Sequence, residues 1–142
     1  MLIVCAVALL LASSAKAQTP VKKIIFETCE VQYGTHILDT HSADQEAFWQ
    51  MDGDPIQFKT TFVVTNKTLK HYENGSLVGE YVVHKPADYL ITDGDVYFHM
   101  IDENEMHYNF KYVKNENVIY FNYSNGFESR VTKFYLNTVK YK

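Results

Sequence analysis
Short runs rich in Val, Ile, Tyr, Phe and Thr, cut apart by Asn-Gly, Asp-Gly or clusters of Asn, Asp and Glu, fill the chain from residue 55 to its end. This is hairpin punctuation. It predicts strands over 23–33, 55–65, 68–73, 77–84, 88–92, 95–101, 106–114, 117–123 and 128–141, with turns at Asn74-Gly75, Asp93-Gly94, Asp102 to Glu105, Asn115 to Asn117 and Asn125-Gly126. Connections this short join only antiparallel neighbours, because a parallel crossover needs about a dozen residues. Such a sheet has two open edges unless it closes on itself. The expected fold is all-β, an antiparallel up-and-down barrel of about eight to nine strands.

One short helix is expected to interrupt the strands. Ser42-Ala43-Asp44-Gln45 has the capping-box form, and Gly53 offers a stop after Met51. The helix would span 43–51, with Ala43, Ala47 and Met51 on one face.

Ahead of the strands, residues 1–17 place an apolar run, Leu2 to Leu11, before Ala15-Lys16-Ala17, the small-x-small form of a signal-peptidase site. The expected organisation is a signal peptide over 1–17 and one barrel domain over 18–142, secreted and without membrane insertion. Cleavage removes Cys5 and leaves Cys29 as the one thiol, so no intrachain disulfide is expected, and Cys29 is expected as a small buried residue. Three N-glycosylation sequons follow, at Asn66, Asn74 and Asn122. A formal net charge of −4 supplies no basic field for a nucleic acid.

Strand parity separates two faces. Met106, Tyr108, Phe110 and Tyr112 alternate with His107, Asn109, Lys111 and Val113; Val96, Phe98 and Met100 oppose Tyr97, His99 and Ile101. A glycan on Asn122 would put Val118 and Tyr120 outside with it, leaving Ile119, Phe121 and Tyr123 inside. Ile56, Phe58, Phe62 and Val64 share one face of their strand, divided from Gln57, Lys59 and Thr61.

The stretch from Leu69 to Lys142 resembles the lipocalin-like branch of the calycin superfamily. The cues are the Asn74-Gly75 hairpin, Tyr81-x-Val83, Tyr89-Leu90-Ile91 and an aromatic-rich last strand. The family's Gly-x-Trp signature is represented by Trp49, with Ala47 in the glycine's place. Arg130, the sole arginine, is the candidate partner for the indole. The resemblance implies small, largely apolar ligands in the barrel mouth.

A barrel of about eight strands is either filled by its own side chains or wide enough for one small ligand. The candidate pocket lining is Phe58, Phe62, Phe98, Tyr108, Phe110, Tyr112 and Phe121, an apolar wall in which Tyr108 and Tyr112 could offer hydroxyls. The six histidines, His36, His41, His71, His84, His99 and His107, show no metal-ligand spacing and are expected at the surface, with His99 and His107 on outer faces. No cofactor or metal is expected.

The acidic turns Asp52-Gly53-Asp54, Asp93-Gly94-Asp95 and Asp102 to Glu105 follow from turn chemistry and lack the EF-hand pattern. If two of them met at one barrel mouth they would favour a cationic amine, a ligand class the resemblance also implies. No nucleophile elbow, metal box or phosphate loop is present, so catalysis is not expected. The leading expectation is a secreted, glycosylated carrier of a small apolar or amphipathic molecule. The alternative is a secreted protein-interaction module with a filled core, which one outer patch of Tyr97, Tyr120, Tyr135 and Tyr141 would favour.

Overall fold
A computed structural model describes residues 20–37, 48–84, 90–91, 94–124 and 129–142. The strands are β1 (Pro20–Val21), β2 (Lys23–Ile37), β3 (Phe48–Thr65), β4 (Thr68–Glu73), β5 (Ser76–His84), β6 (Leu90–Ile91), β7 (Val96–Ile101), β8 (His107–Val113), β9 (Val118–Ser124) and β10 (Ser129–Tyr141). Eight of them close a barrel in the order β10-β2-β3-β4-β5-β7-β8-β9, each antiparallel to the next. Strands 88–92 and 95–101 are not successive staves as expected: β6 leaves the barrel and pairs with β1 in a separate two-stranded ribbon.

Turn chemistry sets the register. Asn74 and Gly75 both take positive φ, 48° and 81°, as a tight two-residue hairpin turn demands. A Cβ at Gly75 would meet no neighbour within 4 Å, so the strain of an alanine there is purely that of the backbone. Gly75→Ala is expected to lower the unfolding free energy by about 1 kcal/mol, seen as a lower urea midpoint at unchanged slope. At the next turn Asp102 Oδ1 accepts hydrogen bonds from the Asn104 and Met106 amides at 2.8 and 2.9 Å. A single 3₁₀ turn, Lys114–Glu116, joins β8 to β9 and ends on left-handed Asn117.

The predicted helix over 43–51 is overturned where it can be compared. Phe48 to Met51 belong to β3 and pair with Ile37 to Gly34; 43–47 lie outside the described residues. A nine-residue helix is marginal by itself, and aromatic Phe48-Trp49 suits a paired strand better. Gly53 is not a helix stop. It sits at φ 68° where the β2–β3 register slips between Val31 and Tyr33, and its carbonyl accepts Gln32 Nε2 at 2.7 Å. Cys29 occupies the other slip in that pair and is half-buried rather than enclosed, with Sγ donating to the Tyr135 carbonyl at 3.6 Å. Residues 1–17, expected to be a signal peptide, and the turn Asn125-Gly126 lie outside the described residues, as does Asp93.

Parity places the core. Ile24, Phe26, Phe62, Val64, Leu69, Met100, Phe110 and Ile119 are fully buried on the inner faces, and Val21, from the ribbon, packs against them. Full burial of each such side chain is worth about 1.5–3 kcal/mol. Burial then declines toward the end formed by the β4–β5 and β7–β8 turns. There Phe58, Tyr81, Tyr108 and Phe121 are only partly covered. The barrel is closed below and open above.

Candidate functional site
The upper interior is aromatic. Tyr81 from β5, Tyr108 from β8 and Phe121 from β9 form a ring triangle with centroids 5.0 Å (Tyr81–Tyr108), 5.5 Å (Tyr81–Phe121) and 5.5 Å (Tyr108–Phe121) apart. Tyr123 continues it at 5.6 Å from Tyr108. Glycine makes room for this: a Cβ on Gly79 would lie 2.8 Å from Tyr81 Oη, so the phenol folds back over a position with no side chain. Register sets Gly79 opposite His71, which brings the phenol to the same side of the barrel as that imidazole.

Two openings reach the triangle. One is a cleft of about 490 Å³ at the barrel mouth, lined by Met106, Tyr108, Phe121, Tyr123, Arg130 and Thr132. The other is a lateral slot of about 520 Å³ whose walls include Gly79, Tyr81, Asp102, Glu103 and Tyr108. In the described β5–β7 register Val82 already faces Ile101, the last residue of β7, so the first half of β5 runs past the end of β7 and the slot opens between it and the Asp102–Glu103 turn. Both volumes fall within the ordinary range for ligand pockets, roughly 300–1,000 Å³.

Below the cleft lies His71, on β4 opposite Phe62. Its ring rests against Phe62 at 4.8 Å, Phe134 at 6.2 Å and Phe121 at 6.3 Å, so Phe121 touches the cleft on one side and the imidazole on the other. Burial pulls its pKa down to about 4, which leaves the ring neutral at neutral pH. Glu73 Oε1 stands 3.6 Å from Nε2, too far for a hydrogen bond, and with the ring neutral the approach is no ion pair. Nε2 is buried with no hydrogen-bond partner, as is Oγ1 of Thr60, which pairs with Glu73 across the strands. Buried orphans of this kind are uncommon and costly in native proteins.

The phenols are held as neutral donors. Tyr108 is pushed up to about 12, first by burial and then by its hydrogen bond to Asp102 Oδ2 at 3.1 Å. Tyr81 is raised by burial and by the carboxylates of Asp102 and Glu73. The Tyr108 hydroxyl thus donates to a turn carboxylate and has acceptor capacity left for a guest.

Of the residues expected to line a pocket, Tyr108 and Phe121 reach the mouth cleft. Phe62, Phe98, Phe110 and Tyr112 are buried and fill the barrel below it, with Phe98 stacked on Phe110 at 5.0 Å and Phe26 against Tyr112 at 4.9 Å. Phe58 packs against this core from above, partly covered. His71 is the functional candidate that sequence reasoning misplaced at the surface; the available signal was its spacing of two from buried Leu69 on the same strand.

On the outer face, Tyr97, Tyr120, Tyr135 and Tyr141 do not make one patch. Tyr141 packs on the core, Lys111 lies between Tyr97 and Tyr120 in the register, and Lys133 Nζ sits over Tyr120 and Tyr135 at 5.6 and 5.0 Å. Arg130 lies at the cleft rim, opposite Tyr123 and Thr35, and Trp49 pairs with His36; the Trp49 side chain is outside the description, so the indole pairing has no structural counterpart here. Among the described residues no helix is long and apolar enough to cross a membrane, and no three histidine, cysteine or carboxylate groups already surround one point as metal ligands would. Comparison of the chain with protein-family models, with curated proteins and with solved structures found no match in any of the three.

Proposed function
We propose that this chain is a secreted, glycosylated binding protein of lipocalin-like type, holding one small apolar or amphipathic molecule in the upper barrel without chemical change. The observation that carries this reading is the pairing of an aromatic cleft of about 490 Å³ with a neutral imidazole, one ring deeper, whose Nε2 is unsatisfied. An apolar wall with a few convergent polar groups is how small-molecule sites are generally built. The guest's apolar body lies against Tyr108, Phe121 and Tyr123, and a polar group, reaching past the displaced Phe121 ring, meets His71. The closed antiparallel barrel supports the calycin-like reading at the level of architecture. The sequon asparagines support a glycosylated surface: Asn74 is exposed in a hairpin turn, and Asn66 and Asn122 are both partly exposed and away from the cleft.

Native mass spectrometry of the protein purified from its source tests the proposal. The expected result is a mass above that of the glycosylated chain, removed by organic extraction and restored by a lipid extract. Phe121→Trp, which enlarges the ring between cleft and imidazole, is expected to weaken that uptake by about tenfold or more. A clean apo mass with no uptake from the extract overturns it.

A further inference from the structure
Three of the six histidines come together on the outside of the barrel, on the face away from the aromatic cleft. His84 on β5 is the direct cross-strand partner of His99 on β7, and their ring centroids are 5.9 Å apart. His107 on β8 lies diagonal to His99, with the rings stacked at 5.1 Å and His99 Nε2 only 2.8 Å from His107 Nδ1. Asn109, opposite His99, has its Oδ1 at 2.7 Å from His99 Nδ1. A carboxamide oxygen can only accept, so His99 Nδ1–H donates to it. In the neutral ring the lone pair then sits on Nε2, where it accepts the His107 Nδ1–H.

We propose that this face binds a divalent transition ion of the Zn²⁺ or Cu²⁺ kind through His99 Nε2 and His107 Nδ1, with His84 as the third ligand. An ion there takes the place of the proton that the two rings share. Metal–nitrogen bonds of about 2.0–2.1 Å in tetrahedral array place ligand nitrogens about 3.3 Å apart, so the pair opens by roughly half an ångström and His84 turns inward about its own side-chain bonds. The Asn109 contact is the outer-shell hydrogen bond that holds a ligating imidazole in the right tautomer. All-imidazole ligation selects Zn²⁺ and Cu²⁺ over Mg²⁺ or Ca²⁺. Such an ion ties β5 to β7 and β8 at the His84↔His99 pair.

Calorimetric titration of the full chain with Zn²⁺, and separately Cu²⁺, tests this, with thermal unfolding as a second readout. One ion per chain is expected, with a rise in Tm. Affinity is expected to fall about tenfold or more in His99→Gln and in His107→Gln, and measurably in His84→Gln. The double variant His36→Gln/His41→Gln should bind as the parent does. His84 and His107 are exposed and His99 is half-buried, and circular dichroism verifies that each variant is folded. No saturable uptake, uptake retained when His99 and His107 are both replaced, or uptake lost in the His36/His41 variant overturns the assignment. An unchanged affinity in His84→Gln overturns the three-ligand site.

Discussion

Phe110→Ala is expected to lower the unfolding free energy by about 3–5 kcal/mol, the range for emptying a buried phenylalanine site. Phe110 is fully enclosed at the middle of the barrel. Its ring meets Phe26 at 5.6 Å, Phe62 at 5.7 Å and Phe98 at 5.0 Å, so truncation leaves a hole bounded by three other rings that are themselves pinned to different strands. A domain of this kind has about 5–15 kcal/mol in total, so the variant should be close to unfolded near body temperature. Urea unfolding followed by tyrosine fluorescence and circular dichroism measures the loss. Tyr97→Ala, at an exposed ring, is the control and should change stability by about 0.5 kcal/mol or less. Similar losses in the two variants would mean that the barrel interior is not packed around Phe110.

Acidification should expose the cost of His71. Its folded pKa of about 4 lies below the ordinary value of 6.5, so between those values the unfolded chain binds a proton that the native chain refuses. Stability is therefore complete above about pH 6.5 and is lost as the pH falls toward 4. The loss is about 2 kcal/mol once the partly wetted edge of the ring and the nearby Glu73 carboxylate are allowed for. Carboxylates add their own acid dependence, Glu27 among them. Its pKa is lowered by hydrogen bonds from Thr138 and Lys140. The informative quantity is thus the difference between parent and variant. In His71→Phe that slope between pH 6.5 and 4 should flatten, and at pH 7 the variant should be about 1–2 kcal/mol more stable, because an unpaired buried nitrogen is gone. His71→Leu guards against overpacking by the larger ring. A gain in stability joined to a loss of ligand uptake would mark the imidazole as kept for binding. Parallel slopes in parent and both variants would show that His71 is not the buried neutral group described above.

Strand positions were legible because two local rules agree: alternation of apolar and polar residues, and turn residues at each reversal. Thr68–Glu73 matches its expected bounds, and the inward set on β8 follows the parity of Phe110 and Tyr112. The β2–β3 arm was not legible. Ser42 to Gln45 carries a helical capping signal, yet Phe48 to Met51 gain a complete ladder against Gly34 to Ile37, and that partner is invisible from within the segment. Leu90-Ile91 has the composition of any other stave, but only the three-dimensional path shows that it pairs with Pro20-Val21. At the candidate site, Tyr108 and Phe121 were within reach of parity, whereas the slot depends on where β7 ends against β5, which only the cross-strand register shows. The convergence of His84, His99 and His107 depends on register across three strands, which spacing along one chain does not encode.

A hoop parts first at its shortest joint. Opening a region of structure costs in proportion to the pairs and apolar contacts given up, and among the described residues Val82 to His84 hold the fewest pairs of any two neighbouring strands in the barrel. Amide protons there should exchange with solvent sooner than those of the long β2–β10 ladder. Each such opening bares Tyr81 and Met100 from the side while the rest of the ring stays joined. A guest then has a side door that leaves the mouth and the base undisturbed.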